Sequence, residues 1–592
     1  KNSEVLAKIE FKSRPSDIYI NGDNGEAADR LVIYGHDNTF RNSDLYKKFR
    51  RRGSFTFLKV FDISDKSNPK QVRDLDFEGT YNNSRMIGDY VYFVTSNHGY
   101  YYIEDEPILP RIIEDGEVIS NLCEKGVRCI EPDIYYFDIP YSNYNFTAVN
   151  SININEESEP IQGDVYLLSG NQNMYVSLNN IYITYTKYIS EYQLEMEVMK
   201  ELIFPRLSSK DKEKILSIES VPYYILTPDE KRRKVEQIIE RFGISLSEEE
   251  QEELEDDLEE MMKQKYEDIS KELEKTVIHK IGIKKGELEY KNFGEVTGQV
   301  LNQFSMDENN GYFRIATTKN RTWSRYDQGR RESYNNLYVL DDDLKVVGSV
   351  EELAEGERIF SVRFMQNRAY MVTFRQTDPL FVIDLSNPEN PKVLGKLKIP
   401  GFSNYLHPYD NDTLIGIGKD TSESEWGGVT TKGLKLSLFD VTDVSDPKEI
   451  DTYVMGDAGS DSIALHDHKA FLFSRDKNLL VIPVSIRESF DNRSWGNLTF
   501  SGAAVFYVDS DGFELKGKID HSEGGKSSPT DYWRGYNYYD NTVKRSLYID
   551  DVLYTFSNNF LLMHDLEDVE LEKSLKLKKL PTDYDDDFTI IN

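Results

Sequence analysis

Cysteine, histidine, tryptophan and positive charge are all scarce in this chain: 592 residues hold 2 Cys, 8 His and 4 Trp, and 71 Lys and Arg face 104 Asp and Glu. The formal net charge of -33 excludes a nucleic-acid partner, because phosphate binding needs a basic footprint. It also disfavours an anionic membrane surface. Cations or basic protein patches would be attracted, although simple solubility from self-repulsion accounts for the charge as well. No apolar run reaches the ~20 residues that span a bilayer. The cysteines, Cys123 and Cys129, stand as C-x5-C with no His nearby. That spacing matches no common zinc motif, so the pair reads as a local disulfide closing a small loop in an oxidising compartment. No G-x-S-x-G, H-E-x-x-H, P-loop or G-x-G-x-x-G stands in a productive context. The chain opens on Lys1 rather than Met, as a processed or trimmed chain would. A signal or anchor was removed, or none existed.

Strand formers are abundant, with 39 Tyr and 30 Phe beside many Val and Ile. "FDISDKSNPKQV" from Phe61, "FVIDLSNPENPKVLG" from Phe381 and "FDVTDVSDPKEI" from Phe439 align on Asp62, Asp384 and Asp440. Each then places Asn68, Asn390 or Asp446 before Pro69, Pro391 or Pro447 and Lys70, Lys392 or Lys448. A β-branched run precedes each motif and an alternating run follows it. The unit is strand, turn, strand, with Asx and Pro fixing the turn. Repeats of this kind read as propeller blades. The expected fold is all-β, a β-propeller of about eight four-stranded blades, starting near residues 15, 84, 163, 303, 361, 404, 461 and 545. Seven is the alternative, if one pair closes the ring with "VLAKIEFK".

A small α-helical insertion falls between strands b and c of the third blade, counting strands a to d outward from the axis. The expected divisions are 1–189 for the first blades, 190–276 for the insertion and 277–592 for the rest. Capping boxes are expected at Thr227 with Glu230 and at Ser247 with Glu250, with Gly243 as a stop. A further helix is expected over 208–218.

Nearly every long connection falls between strands b and c, which puts them on one face. All four tryptophans, Trp323, Trp426, Trp495 and Trp533, lie in such loops or in the tract before the last unit. Loops on a rigid scaffold carry binding residues, so these four mark a candidate binding face. Packing of the loops onto the rim is the plain alternative. Six N-x-S/T sequons, at Asn82, Asn145, Asn320, Asn411, Asn492 and Asn497, add candidate glycosylation sites and favour a secreted or cell-surface glycoprotein.

No catalytic residue and no cofactor is assigned. Calcium is the one cofactor that the acidic turns admit, at Asp509 and Asp511 or at Asp341 and Asp343. The same residues suit hairpin turns. The acidic tail Asp583, Asp585, Asp586 and Asp587 is a solvated terminus or a weak cation site. His466 and His468, in the hairpin "IALHDHKAFLF", share one face of a strand as alternate residues, so two metal ligands are geometrically possible there, with a structural role near the turn as the alternative.

"SRMIGDYVYFVTS", "LNQFSMDENNGYFRIATT", "RIFSVRFMQNRAYMVTFRQTDPLFVIDLSNPENPKVLG" and "LFDVTDVSDPKEIDTYVMGDAGSDS" resemble the secreted or cell-surface β-propeller domain family, distantly related to WD-40 repeats, of archaea and bacteria. The resemblance covers about residues 15 to 570. It implies a secreted or surface-tethered propeller and carries over no catalytic residues. The functional expectation is an extracellular, non-catalytic scaffold at the cell surface. It would bind a surface protein, a glycan or further copies of itself through the loop-rich face. The alternative is a propeller hydrolase or lyase, with its site in the axial funnel beneath the helical insertion.

Overall fold

The computed structural model describes residues 4–22, 28–37, 54–98, 110–119, 133–135, 145–168, 173–188, 191–222, 225–226, 228–269, 273–321, 332–374, 378–423, 429–489, 496–521 and 542–577. Among the described residues eight sheets follow one another along the chain, antiparallel but for one short pair, and most are simple four-stranded meanders. Their innermost strands are Pro15–Ile20, Thr80–Ile87, Asn173–Val176, Met306–Asn309, Arg358–Met365, Phe402–Pro408, Leu472–Ser474 and Arg545–Ile549. Residues 162–168, expected to open the third unit, instead form the fourth strand of the second sheet.

Third strands are buried on both faces, as in Asn497–Val508, whereas fourth strands such as Phe513–Asp520 alternate between exposed and covered positions. Sheet therefore packs on sheet. Seven apolar clusters each join one sheet to the next, from the first pair around Leu58 and Phe93 to the last pair around Val505 and Leu553. The N-terminal segment does not complete a blade as "VLAKIEFK" would in the seven-fold alternative. It has no strand pairing, and Ile9 and Phe11 cover Ile33, Phe57 and Phe61 on the first sheet.

The three aligned motifs are all turns between third and fourth strands. In each, the first Asx carboxylate accepts from the backbone two residues on: Asp62 from Ser64, Asp384 from Ser386 and Asp440 from Thr442, all at 2.9 Å. A second Asx three residues later repeats the bond, Asp65 to Ser67 and Asp443 to Ser445 at 3.0 Å, and Asn387 to Glu389 at 3.2 Å. The serine hydroxyls, and then these backbone N–H groups, hold Asp62, Asp65 and Asp443 below the ordinary carboxylate range.

The turns also clasp neighbouring sheets. A Cβ on Gly348, in the fourth sheet, would lie 2.3 Å from the Pro388 carbonyl of the fifth-sheet turn. One on Gly395, in the fifth sheet, would lie 2.2 Å from the Val444 carbonyl of the sixth-sheet turn. Both glycines sit just beyond a β-bulge in their strand, where the extra residue turns the edge toward the neighbouring turn. In the corresponding place Asp451 accepts from Phe513 N at 2.8 Å. Gly348→Ala and Gly395→Ala are each expected to cost about 1–3 kcal/mol by overpacking, read as a lower denaturation midpoint. Gly243→Ala is the control of opposite sign. Its Cβ meets nothing within 4 Å, so helix propensity predicts a gain of up to ~1 kcal/mol.

The helical insertion joins the second and third strands of the third sheet, Asn180–Tyr188 and Glu274–Lys284. It comprises helices Glu191–Ile203, Ser209–Ser220, Pro228–Ser245 and Glu248–Ile269. The Ser247 box forms, with Ser247 N donating to the Glu250 carboxylate at 2.8 Å and Glu250 N to Ser247 Oγ at 3.3 Å. Thr227 lies outside the described residues. Gly243 does not stop its helix, which runs on to Ser245, because its φ stays negative. The helices build their own core, around Ile215, Ile238 and Leu254 and around Val198 and Met262. No helix among the described residues is long and apolar enough to cross a membrane.

The second sheet's long b–c connection does more than loop. Ile112–Glu114 and Glu117–Ile119 fold back to extend the outer edge of the first sheet, and Ile134–Tyr135 pairs in parallel with the second sheet's outer strand. Exposed sheet edges invite pairing with other chains, and this covering removes part of two of them. Two other expected loops are partly strand. Thr413–Glu423 pairs with Val429–Asp440 out to Glu423 and Val429, and Leu479–Glu488 pairs with Asn497–Val508 out to Glu488 and Asn497.

Candidate functional site

The innermost strands converge on the axis, and most are irregular there. Those of the first, second, fifth and sixth sheets each carry a bulge near their start. The fourth and seventh sheets go further. Between Val300 and Met306 the chain leaves the strand in a short 3-10 turn, Gln303–Ser305, capped by Asn302 Oδ1 accepting from Phe304 N at 2.9 Å. Between Asp461 and Leu472 it forms two more turns, Ile463–Leu465 and His468–Ala470. Ser462 Oγ caps the first at 3.2 Å and Asp467 Oδ1 caps the second at 3.0 Å.

The two excursions meet. Phe304 stands edge-on to the His468 ring with centroids 5.0 Å apart, and Tyr405 of the sixth sheet lies 5.3 Å from Phe304. These rings plug the axis. A ring of many sheets leaves a wide centre, and the excursions fill it.

Polar groups gather on the plug. Tyr405 Oη and His407 Nδ1 are 3.0 Å apart, and His407 packs against Phe471 and Phe473. Arg363, from the fifth sheet, lays its guanidinium 5.8 Å from the Phe304 ring centre. Its Nε is buried with no hydrogen-bond partner, as is Oδ1 of Asn404. Lys469 pairs with Asp17, and Arg545 pairs with Asp467 at 2.7 Å. Tyr19 and Tyr81 both meet Ser84 Oγ, at 2.8 and 3.0 Å.

Burial, reinforced by the charge of Arg363 and the neighbouring His468, lowers the His407 pKa to about 4. His468 is lowered too, by burial against the opposing pull of Asp467, and the charges of Lys469, Arg85 and Arg363 add to the lowering. Both imidazoles are therefore neutral at pH 7. Neither is hydrogen-bonded to a carboxylate among the described residues.

Three more imidazoles are lowered mainly by burial, His279 to about 3 and His521 and His564 to about 4. A denatured histidine takes up its proton near pH 6.5. Each of these groups thus contributes stability that is complete above about pH 6.5 and is lost as the pH falls toward 4, at about 1.4 kcal/mol per unit at most. Asp76 and Asp164 act in the opposite sense. Burial raises them to about 7 and about 6, so their contribution is present at low pH and lost as the pH rises through those values. The signs separate by NMR: His279, His407, His521 and His564 are expected to keep neutral imidazole shifts at pH 5.5 in the folded chain.

The sequence candidates distribute unevenly. Cys123, Cys129, Trp323, Trp426, Trp495, Trp533, Asn492 and the acidic tail from Asp583 to Asp587 lie outside the described residues. Asn82 sits in the bulge of an innermost strand and donates to Ser96 Oγ at 3.2 Å. Asn145 opens a paired strand. Asn320, Asn411 and Asn497 are exposed, with Asn320 Nδ2 donating to Glu274 at 2.6 Å.

Asp509 serves its own turn, accepting from Asp511 N at 2.9 Å and Gly512 N at 3.2 Å. Asp341 accepts from Lys345 N at 2.8 Å, and Asp343 pairs with Lys345 Nζ at 3.1 Å. Among the described residues no three metal-type side chains converge. His466 and His468 do not share a strand face. Their segment is the 3-10 excursion, which leaves His466 exposed and turns His468 onto Phe304.

Comparison with known proteins places the whole architecture. A family model described as "Beta propeller domain" matches residues 1–569. An uncharacterised protein of Methanocaldococcus jannaschii is 32% identical over 536 residues, 90% of this chain and 74% of the relative. An uncharacterised protein of Archaeoglobus fulgidus is 33% identical over 423 residues, 70% of this chain and 60% of the relative. Among solved structures, the WD40 domain of Neurospora crassa Pan2 matches 52% of this chain and 77% of its own at 8% identity and a TM-score of 0.27. A Synechocystis apocarotenoid oxygenase mutant matches 51% and 68% at 10% identity and a TM-score of 0.24. Nothing about this chain's activity follows from those two weak likenesses. The chain belongs to the β-propeller domain family.

Proposed function

We propose that this propeller is a non-catalytic binding scaffold on the outside of the cell, and that it holds its partner on the face from which the b–c connections emerge. The partner is a surface protein, a glycan or a further copy of the chain. The observation that carries this reading is the helical insertion. It is a small body with its own core on that face, and it exposes large apolar side chains, Leu216 at 56%, Ile225 at 63% and Ile244 at 80%. Exposed apolar groups on a scaffold-mounted element favour contact with a partner. The extended hairpins and the exposed sequons Asn320 and Asn497 lie toward the same face, while the opposite face carries tight turns and the third exposed sequon, Asn411.

The axis gives less support to hydrolysis or elimination beneath the insertion. That chemistry needs an acid or base with room for substrate beside it. Here the imidazoles are packed among Phe304, Tyr405, Phe471 and Phe473.

Replacing residues 191–272 with a short Gly-Ser linker tests the reading. The variant is expected to keep the strand signal in circular dichroism and to lose retention in the envelope fraction of its native host. Undiminished retention would place the contact elsewhere, and wild-type protein confined to the cytoplasm would remove the extracellular part of the proposal.

A further inference from the structure

A small polar cavity of about 20 Å³ lies where the first and second sheets meet the second sheet's long b–c connection. Three stretches of chain line it. Glu78 ends the fourth strand of the first sheet. Thr95, Asn150 and Gly163 come from the second, third and fourth strands of the second sheet. Arg111 comes from the connection. Glu78 is 1% exposed, Thr95 2% and Asn150 3%, so the polar groups around the cavity are withdrawn from bulk solvent.

Two facing residues shape the site. Asn150 stands directly opposite Gly163 in the ladder. A glycine inside a strand weakens it, and the φ of Gly163 lies outside the left-handed region, so the backbone does not call for one. Space does. A Cβ at that position would lie 2.6 Å from Asn150 Oδ1, and the amide would have to move. The amide is thus held in place, yet Asn150 Nδ2 is buried with no hydrogen-bond partner among the described residues. A buried amide is unfavourable unless its polar atoms are hydrogen-bonded. Reversing it would only set an acceptor there in place of a donor. Glu78 brings a carboxylate to the same lining, fixed by Arg111 Nε at 2.8 Å and Nη2 at 3.1 Å, and Thr95 brings a hydroxyl.

We infer that this cavity is the binding site of one structural water, which accepts from Asn150 Nδ2 and donates across the joint to the Glu78 carboxylate. A water needs about 10–15 Å³ of such space and two to four polar partners. The cavity offers both and is too small for an organic ligand. An apolar lining of this size would stay dry, whereas an amide, a carboxylate and a hydroxyl surround this one. The water joins the rim of the first sheet to the third strand of the second, beside the point where Arg111 seats the connection. The site exists only when all three stretches are in place. It is independent of the partner face proposed above and survives its failure.

High-resolution crystallography of the full chain is the test, with Asn150→Leu as the variant. Wild type is expected to show one spherical density peak about 3 Å from Asn150 Nδ2, with the Glu78 carboxylate as its second neighbour. N150L removes the donor and takes up the space, so the peak is expected to vanish. Magnetic relaxation dispersion in solution is expected to lose about one long-lived water in N150L. If N150L does not fold, the wild-type map decides alone. A wild-type map without that peak, or with Asn150 Nδ2 bonded to a protein group instead, overturns the inference. So does a folded N150L that keeps the peak.

Discussion

Glu114→Ala is expected to destabilise the protein by about 3–5 kcal/mol, because it strands a buried charge. Arg73 is 2% exposed and Glu114 6%. The guanidinium donates to one Glu114 oxygen from Nε at 3.1 Å and from Nη2 at 2.8 Å, and Nη1 reaches the Asn153 carbonyl of the second sheet at 3.3 Å. Arg73 lies on the fourth strand of the first sheet, and Glu114 lies on the added strand from the long connection. The pair therefore fastens an insertion to the rim. Its net worth is smaller than the cost of breaking it. Arg73→Met combined with Glu114→Leu is expected to recover most of the loss, since well-packed apolar replacements of buried pairs are often neutral or stabilising. Chemical denaturation of the two single variants and the double variant measures both effects.

Phe313→Ala is expected to cost a further ~3–5 kcal/mol relative to wild type. Phe313 is 1% exposed, and its ring stacks on Tyr182 of the neighbouring sheet with centroids 4.1 Å apart and an interplanar angle of 16°. Tyr182 Oη donates to Glu308 at 3.1 Å, back in the fourth sheet. Truncation leaves a cavity between two sheets whose backbones are each pinned by their own ladders, so collapse is limited. Phe313→Leu fills part of that volume and is expected to cost roughly half as much. A fall in denaturation midpoint with an unchanged urea slope marks this as lost stability rather than a changed denatured state.

What the sequence made legible follows from local chemistry. Asp62, Asp384 and Asp440 announce turns because their carboxylates bond to the backbone two residues on, a contact that needs no distant partner. The same locality made Ser247 and Glu250 readable as a helix start. The axial site was not readable in this way. Phe304 and His468 are 164 positions apart, and each lies in a stretch whose alternation suggests an ordinary strand. The 3-10 turns that carry them exist because the centre of the ring has to be filled, which is a tertiary demand. A local signal was available in the cap residues Asn302, Ser462 and Asp467, each with a backbone N–H to receive two residues on. The clasp had a partial signal. The motif from Phe381 ends on Gly395, and that glycine is required by the backbone of the next sheet rather than by its own turn.

The proposed function requires the b–c face, led by the helical insertion, to meet the partner while the turn motifs on the other face only clasp the blades. Photo-crosslinking in the intact native host tests it most directly, with the reactive side chain placed at Leu216 or Ile244 on the insertion and at Asn390 or Asp446 in the turns. Specific adducts of defined mass are expected from the insertion positions and none from the turns. Adducts from Asn390 or Asp446 alone would contradict it.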